Sequence, residues 1–291
     1  MKRFLTTAAA ALLAATLFTG KAEGEVPTKL VLGMIPSREA DVIVDNIGPL
    51  AELLSQALLI PVEPFVSTNY TAMVEAVGTG RVDIVFFGPS GMVEAMDRYG
   101  AQAIVGSVRR GSTQYRAQFN VRCDSDLAEF EQLRGKTIAW TDPTSASGYR
   151  FPFVSLKTTH GIDPDTEMTQ IFAGSHDAAM LAVYLGDVDV ALTFGGSPGS
   201  DGRTTIQNDY PDVFDVVCIL GFADYIPNDG AVVRKGLDPD LVEQITQALI
   251  DIAASEEGQV YTQAMFNVTG FARIDPSAYD IVRETDRTFR R

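Results

Sequence analysis

The chain predicts an α/β protein built from two similar lobes, and three observations carry that reading. Short apolar runs of strand length alternate with helical patterns along most of the sequence. A weak internal repeat places one copy of the same unit in each half. Three of the strands run into loops rich in Gly, Pro or Ser, and in open α/β sheets ligands bind beyond the carboxyl ends of strands.

The repeat joins residues 70–87 to residues 176–193, each reading as helix, Gly turn and buried strand. Ala72, Ala76, Val77, Gly80, Val82 and Asp83 recur in register as Ala178, Ala182, Val183, Gly186, Val188 and Asp189. The copies lie too far apart for a solenoid. Two related α/β lobes are the simplest account, against coincidence between two helix–Gly–strand units.

The elements follow in order. Met1, Lys2 and Arg3 precede an apolar stretch over 4–18, and Gly20-Lys21-Ala22 supplies small residues for cleavage. Residues 1–24 therefore read as a removed signal peptide, too short in its apolar part to span a bilayer. Strands are expected over 29–34, 60–66, 82–87 and 101–108, with helices over 39–57 and 90–98 between them. Residues 114–122 read as an extended segment crossing between lobes. Strands over 136–141, 169–172 and 188–194 build the second lobe, and 213–220 leads to a return crossing at Ile226-Pro227-Asn228-Asp229-Gly230. Helices over 239–254, 257–266 and 276–289 are expected to pack on the first lobe. The assignment is lobe 1 over 25–118 plus 227–291 and lobe 2 over 119–226. The loops Phe87-Gly88-Pro89, Asp142 to Gly148 and Phe194-Gly195-Gly196 are expected to converge on one cleft.

Composition narrows the partners. A net charge of −15, more negative once Lys2, Arg3 and Lys21 are removed, argues against nucleic acid or an anionic membrane. Any anion site must then work through local donors. Cys123 and Cys218 fit one disulfide or two buried thiols, and spacing leaves both open. His160 and His176 stand in unrelated settings and the cysteines lack ligand spacing, so no metal or cofactor is expected. His160-Gly161 reads as a helix end, Trp140, Phe86 and Phe87 as core, and Arg109, Arg110, Arg116 and Arg150 as solvated surface.

The stretch Ile138-Ala139-Trp140-Thr141-Asp142-Pro143-Thr144-Ser145-Ala146-Ser147-Gly148-Tyr149 carries the chemistry. A strand runs through a turn into a helix start, where unpaired N–H groups and the macrodipole suit an anion. An ordinary N-cap reads the same way.

Asp142 to Tyr149, with Pro152, resembles the Asp-Pro-x-Ser-Thr-Ser-Gly-Tyr signature of the phosphonate/phosphite-binding proteins of ABC importers. Gly174-Ser175-His176-Asp177-Ala178-Ala179, Gly186-Asp187-Val188-Asp189 and Ile226-Pro227-Asn228-Asp229 match further motifs in the same order. Tyr70 and Phe86-Phe87-Gly88-Pro89 fit as well. The resemblance implies a bilobed periplasmic binding protein fold of type II, its two α/β lobes joined by two crossing hinge strands. It implies a monomeric periplasmic receptor, not an enzyme, that hands its ligand to an inner-membrane permease. Ser145, Ala146 and Ser147 would surround the anion, His176 would donate to it, and Tyr70 and Tyr115 would reach across. Asp229 matches an acidic position of the cleft.

Two departures bear on the ligand. Ala146 replaces the middle hydroxyl of the Ser-Thr-Ser triplet, and no carboxylate stands near Gly196 where aminoalkylphosphonate binders hold an ammonium. Phosphite, phosphate or an alkylphosphonate is expected instead. The same placement sets Cys123 and Cys218 on neighbouring strands and favours the disulfide. The alternatives are a histidine-kinase sensor for an oxyanion such as arsenite, held by a free Cys123, and a Ser hydrolase using Ser145, His176 and Asp177 or Asp229.

Overall fold

In a computed structural model the described residues are 24–38, 40–197 and 200–289, with the side chains of Ala40 and Phe266 left aside. The signal peptide expected over 1–24 lies outside them, Gly24 excepted.

The first sheet is laid down by β1 (Leu30–Met34), β2 (Val62–Val66), β3 (Ile84–Phe87) and β4 (Gln102–Val108). Helices α1 (Ala40–Leu58), α2 (Tyr70–Gly78) and α3 (Pro89–Tyr99) connect them. The chain then builds a second sheet from β5 (Gln114–Arg122), β6 (Thr137–Trp140), β7 (Thr169–Phe172), β8 (Val190–Gly195) and β9 (Val217–Pro227). Helices α4 (Phe151–Thr158), α5 (Pro164–Glu167), α6 (His176–Leu185) and α7 (Val213–Val216) lie between these strands. It returns to the first sheet with β10 (Gly230–Val233), α8 (Pro239–Ala254), α9 (Glu256–Phe266) and β11 (Gly270–Arg273), and ends in α10 (Asp280–Phe289).

The strand orders are β11-β4-β10-β3-β1-β2 and β7-β6-β8-β5-β9. Apart from β11 they are one order used twice. In each lobe the strand of the repeat, β3 or β8, pairs parallel to the strand two before it, β1 or β6, and antiparallel to a partner from the far side of a crossing or its start, β10 or β5. The repeated aspartates explain part of this likeness. The Asp83 carboxylate accepts from Val31 N–H at 2.8 Å, and Asp189 accepts from Thr137 N–H at 2.8 Å, each fixing the start of the adjacent strand. Gly80 and Gly186, at φ of 74° and 82°, supply the left-handed turn out of each helix.

Two expectations change. β5 is bonded into the second sheet from Gln114 to Arg122, so the change of sheet falls between Val108 and Gln114, not within that strand. Of the C-terminal helices, α8 and α9 pack on α1 of the first lobe, but α10 bridges α3 and α4. Phe289 reaches Tyr149 and Phe153 edge-on at 5.1 Å each, which explains that placement.

The core follows the helical period. Ile43, Ile47, Leu50, Leu54 and Leu58 of α1 line one buried face against Leu30 and Leu32 and against Ile245 and Leu249 of α8. A second cluster runs from Met73 and Val77 through Tyr115 to Phe119 and Trp140, so apolar packing is continuous between the lobes. Cys123 and Cys218 are joined as a disulfide with Cα atoms 4.9 Å apart. No described helix is long and apolar enough to cross a membrane.

Candidate functional site

The loops after β1, β3, β6 and β8 enclose a cavity of about 110 Å³ between the lobes, room for a few water molecules or one small ion. Ser145, Ala146, Ser147, His176 and Tyr115 line it from the second lobe, Tyr70 from the first, and Asp229 from the return crossing. All of these sequence-predicted positions are thereby brought to one place. Of the three expected loops, Phe87, Gly88, Ser145 to Ser147 and Phe194 reach the cavity, while Gly195 and Gly196 pack against Gln118 and Arg116 instead.

The loop after β6 is shaped locally. Ser145 is an N-cap whose Oγ accepts from Gly148 N–H at 3.0 Å, and Ala146–Arg150 forms one π-turn that leads into α4. The Ser145 N–H is spent on the Asp142 carbonyl at 2.9 Å. As the first two residues of that turn, Ala146 and Ser147 have N–H groups without an intrahelical acceptor. Gly148 is required here, since a Cβ would meet Thr141 Oγ1 at 2.2 Å.

The hydroxyl groups are networked. The Tyr115 hydroxyl stands beside Ser147, and the Tyr70 hydroxyl beside Ser37. Burial raises the pKa of both phenols, so each stays a neutral donor. Burial also pushes the Asp142 carboxyl up, against N–H bonds from Thr144 and Tyr70 that pull it down.

His176 opens α6 behind its cap Ser175, whose Oγ accepts from Ala178 N–H at 3.1 Å. Its Nδ1 lies 3.2 Å from Thr141 Oγ1, and Thr141 Oγ1 donates to the Leu192 carbonyl at 3.1 Å. That hydroxyl has one proton for two acceptors: if Leu192 takes it, the imidazole donates from Nδ1 and leaves Nε2 as an acceptor, and if Nδ1 takes it, Nε2 carries the ring proton. Burial, with the Arg38 charge added, lowers the His176 pKa to about 3.

Two cations in the cavity wall carry no sequence signal. Arg109, read as solvated surface, has a side chain 12% exposed and pairs with Asp229 at 2.6 Å. Asp229 also accepts from Ser107 Oγ at 3.0 Å. Arg38 lines the cavity with its Nε 3.7 Å from Asp177. Arg150 is not surface either, since it is buried against Asp286 at 2.6 Å and Glu94 at 3.3 Å. Arg116 lies between the Phe222 and Tyr225 rings, and Arg110 is exposed. Phe86 and Phe87 are core, yet both also line the cavity. Trp140 is buried, with Nε1 donating to Gln170 at 2.7 Å, and His160 stacks on Phe130.

A Ser hydrolase arrangement is not assembled. The partner of His176 Nδ1 is Thr141, in the place where a triad holds its carboxylate. The free Cys123 needed to hold arsenite is likewise consumed in the disulfide. Among the described residues no cluster of three His, Cys, Asp or Glu side chains could hold a metal.

Comparison with known proteins agrees with this construction. Residues 32–279 match the family model "ABC transporter, phosphonate, periplasmic substrate-binding protein". The phosphate-import protein PhnD of Mycolicibacterium smegmatis is 30% identical over 183 residues, spanning 60% of this chain and 57% of that protein. The binding-protein component of a Pseudomonas aeruginosa ABC phosphonate transporter shares the fold, with a TM-score of 0.79, 20% identity and coverage of 90% and 86%. PhnD1 of Prochlorococcus marinus, solved in complex with methylphosphonate, gives 0.78, 19%, and coverage of 91% and 99%. These solved folds match the bilobed α/β architecture described above. With the family model covering most of its length, the chain belongs to the periplasmic substrate-binding proteins of phosphonate ABC transporters.

Proposed function

We propose that this protein is exported, captures a small phosphorus oxyanion between its lobes and delivers it, as a monomer, to an inner-membrane ABC permease. Phosphite, phosphate and short alkylphosphonates are the ligand class. The observation that carries this reading is the commitment of Asp229 to Arg109 and Ser107, at 2.6 and 3.0 Å. With its acid neutralised, the cavity offers Ser145, Ser147, Tyr70 and Tyr115 hydroxyls and two guanidiniums, a set suited to oxyanion oxygens. Among the described residues Asp229 is the one carboxylate in the cavity wall, so none is spare for the ammonium of an aminoalkylphosphonate, and the volume suits a compact ligand. The phosphate named for the M. smegmatis relative and the methylphosphonate bound by the P. marinus protein belong to the same class. Binding without chemistry is supported by a Ser145 hydroxyl used as a cap and a His176 anchored to Thr141.

A thermal-shift panel on ligand-stripped protein tests the reading, with phosphite, phosphate, methylphosphonate, 2-aminoethylphosphonate, arsenite and sulfate. A ligand at about a thousand times its Kd adds about 4 kcal/mol. In a chain of this size that is a shift on the order of 10 °C. One of the first three should stand out. A dominant response to 2-aminoethylphosphonate would refute the ligand assignment.

A further inference from the structure

We infer that the site takes its oxyanion together with one proton, with His176 Nε2 as the acceptor that requires it. The inference rests on the oxyanion reading above and names which oxyanions qualify: those that carry an acidic P–O–H at neutral pH.

The tautomer lock is the foundation. Thr141 is fully buried, and we assign its one hydroxyl proton to the Leu192 carbonyl at 3.1 Å over Nδ1 at 3.2 Å. Nδ1–H of His176 is thereby fixed as a donor to Thr141, and rotation of the ring is opposed by Phe194, edge-on at a centroid distance of 5.0 Å. His176 is 7% exposed, and the residual exposure opens onto the cavity that it lines. Its second nitrogen thus meets the ligand as a lone pair. A lone pair facing an anionic oxygen is repulsive unless a proton lies between them.

The surrounding charges favour a proton held there only when the ligand is present. Burial, with the charge of Arg38 in the loop after β1 added, keeps the empty imidazole neutral. Asp177 on α6 faces Arg38, Asp229 faces Arg109, and Asp142 accepts N–H groups from Thr144 and Tyr70. Tyr70 and Tyr115 remain protonated donors. Nε2 is then the acceptor that His176 itself presents to a P–O–H, beside the side-chain oxygens of Ser200, Thr204 and Asn267 in the same wall. A monoanion binds by donating its own proton. A dianion binds by drawing one proton from solvent, shared between its oxygen and Nε2. A sulfonate or sulfate brings none and leaves the lone pair opposed to an oxygen.

The test is calorimetric titration of methylphosphonate and of its near-isostere methanesulfonate into the mature protein. It runs from about pH 5.5 to about pH 9, in buffers of different ionisation heat. One proton should be taken up per ligand above the second ionisation of methylphosphonate, with affinity falling about tenfold per pH unit there. Methanesulfonate should bind at least roughly 100-fold more weakly. Thr141→Val frees the imidazole to protonate Nε2 instead, and should narrow the gap between the two ligands by about tenfold. Methylphosphonate binding with no proton uptake, or equal weakening of both ligands by Thr141→Val, overturns the inference while leaving the receptor reading standing. Failure of phosphite, phosphate and methylphosphonate at every pH removes both.

Discussion

Tyr70 and His176 occupy equivalent positions in the two lobes. Each is the first residue of its helix, behind a cap, Asn69 or Ser175, whose side chain accepts from the N–H three residues on. Each lines the cavity, and each gives its own N–H to the opposite lobe. His176 N–H donates to the Ser37 carbonyl at 3.2 Å, and Tyr70 N–H donates to the Asp142 carboxylate. The internal repeat thus supplies one clasp twice, closing the cleft from both sides. Only the side chains differ, a phenol in one lobe and an imidazole in the other.

Removing the phenol hydroxyl tests that division. Tyr70→Phe keeps the ring, the helix cap and the N–H to Asp142, so the fold should hold. A hydrogen bond to a charged oxygen is worth about 1.5–3 kcal/mol, so oxyanion affinity should fall about 10- to 100-fold by calorimetry. An unchanged Kd would take the hydroxyl out of the site.

The Arg109–Asp229 pair predicts opposite effects for its two halves. Arg109→Ala leaves a mostly buried carboxylate facing an anion and should weaken binding by at least about tenfold. Asp229→Asn leaves a cation there, so affinity should hold or rise. Stability should fall in both, toward the lower end of the ~3–5 kcal/mol known for broken buried pairs, since 12% and 18% of the side chains remain exposed. Parallel losses of affinity in the two variants would refute the electrostatic account.

Ser145 and Ser147 were legible because a turn into a helix start marks them, whereas His176 and Tyr70 were legible through the family motifs they match. The sheets were legible for a similar reason, since strand runs and Gly turns are local signals. Arg38 and Arg109 were not, because an isolated cation beside a loop looks like surface until its partner arrives from far along the chain. Asp229 lies in the return crossing, and Asp177 in the other lobe. Arg150 misleads in the same way, since Asp286 comes from the last helix. The His176 tautomer is more remote still, set by Thr141 and by a strand carbonyl at Leu192.

Burying a neutral imidazole has a sign that can be measured. The folded pKa of His176 lies near 3, below its ordinary value of 6.5. The unfolded chain therefore binds the extra proton first, and this contribution to stability is lost as pH falls from about 6.5 toward 3. The slope is about 1.4 kcal/mol per pH unit within that window. Urea melts of apo protein at pH 6 and pH 4 should show a smaller drop for His176→Gln than for wild type. Equal drops would mean that carboxylates alone set the acid limit.

The Cys123–Cys218 bond closes a sequence separation of 95 residues around most of the second lobe. Loop closure on this scale typically stabilises by about 2–4 kcal/mol. Cys123→Ser/Cys218→Ser should lose that much in denaturant melts while keeping ligand affinity, because neither residue lines the cavity. The intact mass of wild type should rise by two hydrogens on reduction. A mass that does not change would show that the thiols are free.

The repeated aspartates make the last comparison, because equivalent residues sit in unequal surroundings. Asp83 accepts Val31 N–H and also pairs with Arg234 at 2.6 Å, with side chains 8% and 12% exposed. Asp189 accepts Thr137 N–H, but its side chain is 40% exposed and Lys136 stands 4.0 Å away. Asp83→Ala leaves Arg234 with its exposed partner Glu25 at 2.8 Å and strips an N–H of its acceptor, so about 3 kcal/mol should be lost. Asp189→Ala exposes its N–H to water and surrenders a weak surface pair, so about 1 kcal/mol is expected. Chemical denaturation of the two variants should separate them clearly. Equal losses would mean that the strand-start bond, which both aspartates make, outweighs the ion pair that only Asp83 makes at close range.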